Sequence, residues 1–445
     1  MKSFHMLPLA LCLCVAGHAQ ERFVNDICVP AKLWLLTDNG NDLFVQPFLK
    51  RWRPYNDFVR FSLEGGGTFQ RRLSHVATIR EPIDGSVLRI DLVNGDEFET
   101  VKTLKSTIRV GVAGAGSGVV TAQIVGDSYT RGEFYQGALA PKNVPNLKLV
   151  GLLKGGEGRY NEGRGGWSLA GHFNVPTQPA QSYHGFMQPS GEARYWGARA
   201  FWVNAWKCFR KTAPEGFEPT YSCSRYDDCL PRFEESTGVL LNPVKGDIQY
   251  DNGNDTFVMY DGNAWKPVKK DEFTWTFDYG KYLAMWNVDK PDFLFVLLGL
   301  NDFRNRLDVD FTEWGKRITA MKDSYLASNP NGKFVICIPC TSCGIDDNVA
   351  GDFTTLQNAA MWRFRDWLIK TFDRREQDGF HLVDTGIGTD NIDGYVYAQG
   401  DVTLPHFGYK GESRLRVQSG NPHPYPNYPN MGLPIAAFIQ ANRAK

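Results

Sequence analysis

The sequence predicts an α/β fold, a parallel sheet with helices on both faces, preceded by a smaller β-rich unit. Three observations carry this. From about residue 119, apolar β-rich runs alternate with amphipathic helical runs, the pattern of a parallel sheet with crossover helices. From about 21 to 115 no run has helical length, and short β-rich pieces recur between turn signals. The chain has 445 residues, more than one small core organises, which predicts two units.

The first residues suit export. Met1-Lys-Ser-Phe-His5 is a short positive start, 6–15 is apolar, and Gly17-His18-Ala19 puts small residues where a signal peptidase reads. Residues 1–19 are therefore expected to be a cleaved signal peptide, giving a secreted or periplasmic protein. The apolar run is too short to anchor in a bilayer, and no other stretch reads as a transmembrane segment.

Residues 20–117 are expected to form a small antiparallel β-sandwich, with strands at 32–36, 43–46, 57–62, 87–92 and 107–111. Asp38-Asn-Gly40, Gly65-Gly-Gly67 and Asn94-Gly-Asp96 supply the turns. Ala113-Gly-Ala-Gly-Ser-Gly118 precedes a strand rather than joining strand to helix. It reads as a domain junction, not as a phosphate loop.

The second unit, 118–445, starts with a strand at 118–125 and a helix in the run 133–140. Further strands are expected at 147–153, 292–298, 333–339 and 381–384. Helices are expected at 311–327, 353–372 and 434–440, the last with Pro434 in its first turn. The rhythm breaks at about 168–282, a stretch with Gly, Pro, aromatics and three cysteines, and with a candidate hairpin at 248–251 and 256–260. A loop this long is uncommon without a function. It reads as a substrate-shaping insertion or a cover for one sheet edge.

Lys+Arg and Asp+Glu are both 49. No basic excess exists to drive nucleic-acid binding, and no such partner is expected. The 12 Trp, 18 Tyr and 29 Phe suit sugar stacking for a few residues and core packing for most. Signal cleavage would leave seven cysteines, an odd number. Cys337-Ile-Pro-Cys340-Thr-Ser-Cys343 lacks a second ligand pair, so a local disulfide is expected rather than zinc. Cys208, Cys223 and Cys229 are candidates to staple the insertion.

Four stretches carry the chemistry. They are Gly126-Asp-Ser128, Asn161-Glu-Gly-Arg-Gly-Gly-Trp-Ser168, Gly299-Leu-Asn-Asp302 and Asn421-Pro-His-Pro-Tyr425. The first three follow predicted parallel strands, and in open α/β sheets such ends converge on one edge. Acyl transfer by a serine needs a nucleophile, a base and donors for the oxyanion. Ser128, His423, a glycine of the second stretch and the Asn301 amide can fill these roles. Asp127 is expected to hold the turn, and Arg164 to sit in an internal salt bridge.

On these residues the chain resembles the SGNH (GDSL) hydrolase family. The matching blocks are Gly126-Asp127-Ser128-Tyr129-Thr130, Glu162-Gly-Arg-Gly-Gly166-Trp167, Gly299-Leu300-Asn301-Asp302 and His423-Pro424. They occur in the family's order over roughly 119–445. The resemblance implies a flavodoxin-like three-layer α/β/α domain, with Ser128 as nucleophile, Gly166 and Asn301 completing the oxyanion hole, and His423 as base. It implies no cofactor and no metal. Some extracellular bacterial members have a β-rich region ahead of the hydrolase domain and act on carbohydrate esters.

One departure stands out. The family places Asp three residues before the catalytic His, and here that position is Gly420. A backbone carbonyl near Gly420, Asp401 or Glu412 could orient the imidazole instead. His406 is the rival base. The expected function is a secreted serine esterase that deacetylates a carbohydrate or polysaccharide. The alternatives are a lipid ester or thioester hydrolase, and a glycan-binding protein with a decayed site. The sequence leaves the oligomeric state open.

Overall fold

The computed structural model describes residues 25–50, 57–73, 76–95, 98–179, 181–212, 223–304, 306–341, 356–390, 397–398, 417–418, 423–424 and 428–443. The expected signal peptide lies outside them. Within them, the expectation of mixed helices and sheets holds.

Among the described residues seven strands precede residue 113: β1 (Lys32–Leu36), β2 (Asn41–Phe44), β3 (Asp57–Glu64), β4 (Thr68–Leu73), β5 (Val76–Arg80), β6 (Val87–Asn94) and β7 (Thr100–Gly111). They form two sheets, β1-β7-β6-β3 and β2-β5-β4. Two of these strands, β4 and β5, were not expected. Nor is the pairing all antiparallel, because β1 runs parallel to β7. Side chains alternate across a strand, and β1 uses both of its faces. Leu33 and Leu35 enter a core of their own with Leu43, Ile79 and Ile90. Trp34 and Leu36 enter the main core of the chain.

The central sheet is built from β8 (Val120–Gly126), β9 (Leu147–Val150), β10 (Leu153–Lys154), β11 (Tyr160–Gly163), β18 (Phe293–Leu297), β19 (Lys333–Ile338) and β20 (Phe380–Asp384). Short helices, α1 (Ser128–Arg131) and α4 (Leu300–Phe303), follow β8 and β18. Strand β8 pairs in parallel with β18, and β18, β19 and β20 follow in parallel. The other edge of β8 is shared. Its first half pairs with β9 and its last two residues with β11, both parallel. The single strand expected at 147–153 is thus two strands, broken at Gly151. A Cβ at Gly151 would stand 2.5 Å from the Asn161 carbonyl oxygen.

Helices cover both faces. Phe295, Val335 and His381 share one face by register, and Phe295 and His381 both touch Phe438 of α7 (Tyr428–Asn442). Phe334 and Phe380 share the opposite face. There Phe334 meets Tyr325 of α5 (Thr312–Ser328), and Phe380 meets Phe372 of α6 (Leu356–Phe372). Helix α3 (Tyr279–Trp286) lies beside α5, through Tyr279 on Tyr325.

Helix α7 begins earlier than expected, so Pro434 lies inside it rather than in its first turn. Ten of its 15 residues are buried, because it has protein on both sides, as an all-round apolar helix requires. The central sheet is on one side. On the other, Trp34 packs on Phe438 at 4.7 Å. A Cβ at Gly111 would stand 2.3 Å from the Ala437 carbonyl oxygen. The glycine-rich stretch 113–118 is likewise tied down. Gln440 Nε2 donates to the carbonyls of Val112 and Ala115, and Arg443 donates to Ala115.

The insertion holds a four-stranded sheet of β13 (Arg194–Ala198), β14 (Asp247–Asp251), β15 (Thr256–Tyr260) and β16 (Trp265–Val268), with α2 (Arg199–Arg210) following β13. A separate antiparallel pair joins β12 (Met187–Pro189) to β17 (Trp275–Phe277). The expected hairpin is present as β14 and β15. Cys208 and Cys223 form a disulfide, and Cys229 is a buried thiol. Of the three cysteines expected to hold a local disulfide, Cys337 and Cys340 are not linked to each other. Cys337 is inside β19, while the Cys340 Sγ lies 3.3 Å from the Tyr129 hydroxyl. Cys343 lies outside the described residues. Among those residues, no helix is long and apolar enough to cross a membrane.

The close approach of Gly111 to Ala437 can be tested directly. Gly111→Val should cost about 1–3 kcal/mol by overpacking, seen in calorimetry as a lower Tm.

Candidate active site

The apolar strand β8 ends at Gly126, and the chain turns at once. A Cβ at Gly126 would lie 2.1 Å from Thr130 Oγ1 and 2.8 Å from the Leu297 carbonyl oxygen, so only glycine fits. Asp127 caps α1, and its Oδ1 accepts from the Tyr129 N–H at 3.0 Å. This is the turn-holding role expected of Asp127. Ser128 is half-buried at the start of that helix. The run 133–140 forms turns rather than the expected helix. Glu133 takes a positive φ of 56° and its carboxylate accepts from the Gly156 N–H, which diverts the chain.

The second stretch lies alongside. Gly163 pairs with Gly126 in β11, and Arg164 N–H donates to the Gly126 carbonyl at 2.9 Å. A Cβ at Gly163 would stand 2.2 Å from the Arg131 nitrogen. Gly166 is exposed with φ 77°, in open space. Its left-handed backbone, not crowding, selects glycine. Arg164 is the internal ion pair expected of it. Its guanidinium donates to Glu162 Oε2 at 2.6 Å, and neither side chain has solvent exposure. It also donates to the Tyr183 carbonyl at 2.8 Å. Glu162 Oε1 accepts from the Leu152 N–H and the Tyr282 hydroxyl.

The third stretch joins these two. Gly299 has φ 116°, and a Cβ there would meet Phe364 Cε1 at 2.1 Å. Helix α4 follows. The Asn301 amide donates to Asp127 Oδ2 at 3.2 Å and to the Trp167 carbonyl at 3.0 Å. One side chain thus bridges the serine turn and the residue after Gly166. Both protons of the amide face protein acceptors, so an oxyanion would compete with one of them. Asp302, given no role from sequence, accepts from the Leu169 N–H at 3.1 and 3.2 Å through its two oxygens. It fixes the loop beyond Trp167.

His423 is half-buried, and its ring lies 5.2 Å from that of Tyr129, edge to face. Tyr129 is fully buried and also touches Tyr428 at the start of α7. The residue next to the serine therefore seats the imidazole. Burial, then the positive charge of Arg304, hold the His423 pKa below its ordinary value. The ring therefore stays neutral, the form a general base needs. Burial raises the Asp127 carboxyl to about 7 and that of Asp302 to about 6. Gly420, Asp401, Glu412 and His406 lie outside the described residues.

The structure thus brings the neighbourhoods of Ser128, Gly166, Asn301 and His423 together. Sequence reading missed the tethers, Asp302, Tyr129 and Arg304. The first two stand inside the motifs, but only neighbours in space reveal their work. His172 and His184 are fully buried behind Trp167. Among the described residues no group of three His, Cys, Asp or Glu is placed to hold a metal.

No family model matches the chain, and no curated protein matches it. A solved structure of a possible lipase from Chitinophaga pinensis DSM 2588 aligns at 12% identity with a TM-score of 0.31, over 72% of this chain and 97% of that one. A second solved structure aligns at 12% identity and a TM-score of 0.28, over 74% and 100%.

The buried charges of the site have measurable consequences. Glu162→Leu strands a buried guanidinium and should destabilise the fold by about 3–5 kcal/mol, measured by denaturant unfolding. Arg304→Gln removes a cation that disfavours imidazolium and favours the Asp127 carboxylate, so both pKa values should rise. NMR titration of His423, assigned against His423→Ala, should show its midpoint move to higher pH.

Proposed function

We propose that the protein is a serine hydrolase of the SGNH type, cutting carboxylic esters through an acyl-serine intermediate. The observation that carries this is the Asn301 bridge between Asp127 and Trp167. It gathers the serine turn and the glycine loop around one amide, with His423 on the adjoining Tyr129. In this reading His423 takes the Ser128 proton as the hydroxyl attacks the ester carbonyl. The Asn301 amide and the Gly166 N–H receive the oxyanion, and the alcohol leaves with the proton from His423. Water then attacks the acyl-serine by the same route. A neutral, half-buried imidazole suits the base role whether it works as a Ser–His dyad or with an acid from another segment.

With β9 taken as the second strand beside β8, the parallel strands run in the order second, first, third, fourth, fifth, and β11 and β10 are added on the β9 side. That is the order of flavodoxin-like sheets, in which sites form at the carboxyl ends of strands, and it supports the SGNH arrangement. In this reading the chain divides into a β-rich part, 20–117, and a hydrolase part, 118–445, with an insertion at about 168–282. The proposed substrate is an acetylated carbohydrate outside the cytoplasm. The mixed polar and aromatic surroundings of Gly166 favour it over a lipid ester.

The test is labelling with a fluorophosphonate, with peptide mass spectrometry. An adduct is expected on Ser128 and none on Ser128→Ala; folded protein without an adduct would overturn the reading. Asn301→Ala should lower kcat on 4-nitrophenyl acetate by about 10²–10³-fold, and His423→Ala by on the order of 10³-fold or more. The acid limb of kcat/KM should lie below pH 6.5, since the neutral imidazole persists below the ordinary histidine pKa. Arg304→Gln should move that limb to higher pH.

A further inference from the structure

Beside Gly166 the insertion opens a cavity of about 310 Å³, lined by Gly166, Trp167, Ser168, Asn174, Pro176 and Gln181 among others. It begins at the proposed oxyanion loop and runs into the first turn of the insertion. Its walls combine one indole and one proline ring with a hydroxyl and two side-chain amides.

Trp167 is held in place by its protein neighbours. Arg164 lies 5.5 Å from the ring centre, and His172 and His184 pack edge-on at 5.1 and 5.6 Å. Gly171 lets the backbone close on the indole, since a Cβ there would stand 2.9 Å from Trp167 Cε3. Both histidines are kept uncharged. Burial drives the His184 pKa down to about 3 and that of His172 far below the ordinary value. Among the described residues neither nitrogen of His172 has a hydrogen-bond partner, so what this ring supplies is packing against the indole. The backbone fixes His184, which donates from Nε2 to the Asn174 carbonyl and accepts at Nδ1 from the Phe186 N–H.

Gln181 is oriented as well. Its Oε1 accepts from the N–H groups of Thr177 and Gln178 at 2.9 and 3.1 Å. The amide is thereby held at the wall of the cavity that Gln181 lines.

We propose that this cavity is the sugar-ring subsite of the enzyme, with Trp167 and Gln181 as specificity-determining residues. The inference rests on the ester-hydrolase reading and names where its substrate's alcohol portion sits. A pyranose ring offers apolar C–H surfaces to Trp167 and Pro176, and hydroxyls to Ser168, Asn174 and Gln181. A fatty acyl chain would cover those polar groups without pairing them, which is unfavourable. Because the indole and the amide are already positioned, little ordering is lost on binding.

The test compares methyl 6-O-acetyl-glucopyranoside with cyclohexyl acetate, a ring of the same size without hydroxyls. Wild-type protein should favour the sugar ester in kcat/KM. Trp167→Ala and Gln181→Glu should each cut that preference by about tenfold, mainly through KM. Gln181→Glu keeps the oxygen that holds the loop and removes the donors, so its effect is read on folded protein. Saturation-transfer NMR with methyl glucopyranoside gives a readout independent of catalysis. Binding to wild type that weakens in Gln181→Glu supports the subsite even if no ester is cut and Ser128 takes no label. Ester cleavage with an unchanged preference in both variants overturns the subsite and leaves the hydrolase reading standing. Absence of sugar binding together with absence of cleavage overturns both.

Discussion

The candidate site depends on a charge pair that no solvent reaches. Glu162 and Arg164 stand two residues apart across the end of β11. Their side chains reach the neighbours that define the loop. Glu162 fixes the Leu152 backbone and accepts a hydrogen bond from the Tyr282 hydroxyl, which in turn accepts from Gln123 on β8. Arg164 holds the Tyr183 carbonyl in the insertion and lies near the Tyr226 hydroxyl. Two buried charges are costly unless every lone pair and proton finds a partner, and here the partners come from strand, helix and insertion together. The pair therefore requires these parts to be assembled at once. Gly166 and Trp167 follow directly after it.

A second constraint acts through α7. That helix lies between the central sheet and the β-rich part of the chain, and it begins at Tyr428, shortly after His423 and Pro424. Trp34 reaches past it to donate to the Leu382 carbonyl on the edge strand β20. Trp362 on α6 donates to the Phe48 carbonyl in the β-rich part. The β-rich part is thus included in the packing that positions the segment bearing the candidate base. Strand β1 shows how this arises, since its alternate side chains serve two cores.

Much of this was legible in the sequence. The long apolar strands β18 and β19 stand out because a strand covered on both faces reads as a continuous apolar run. The glycines at 126, 163 and 299 belong to the motifs, and the structure shows the backbone or ring that each one admits. Three local features went the other way. The helix expected at 133–140 gave way to turns because Glu133 is used to tie down Gly156. Helix α7 takes in Pro434, because contacts on both sides stabilise what propensity alone would not. Of the cysteines at 337, 340 and 343, expected to hold a local disulfide, the first two are not linked to each other: Cys337 lies inside β19 and the Cys340 Sγ meets the Tyr129 hydroxyl.

The sequence by itself determined the alternation of strands and helices, the balance of charge that leaves no basic excess, and the four short motifs with their order along the chain. These are local properties, set by side-chain periodicity and turn chemistry within a few residues. Only the tertiary structure decided that the motifs share one place, that Asn301 spans two of them, that Tyr129 seats His423, and that α7 is enclosed by the β-rich part. Most of these contacts join residues more than a hundred positions apart. Such contacts follow from the register of a parallel sheet and the packing of buried rings, which no stretch of sequence encodes alone.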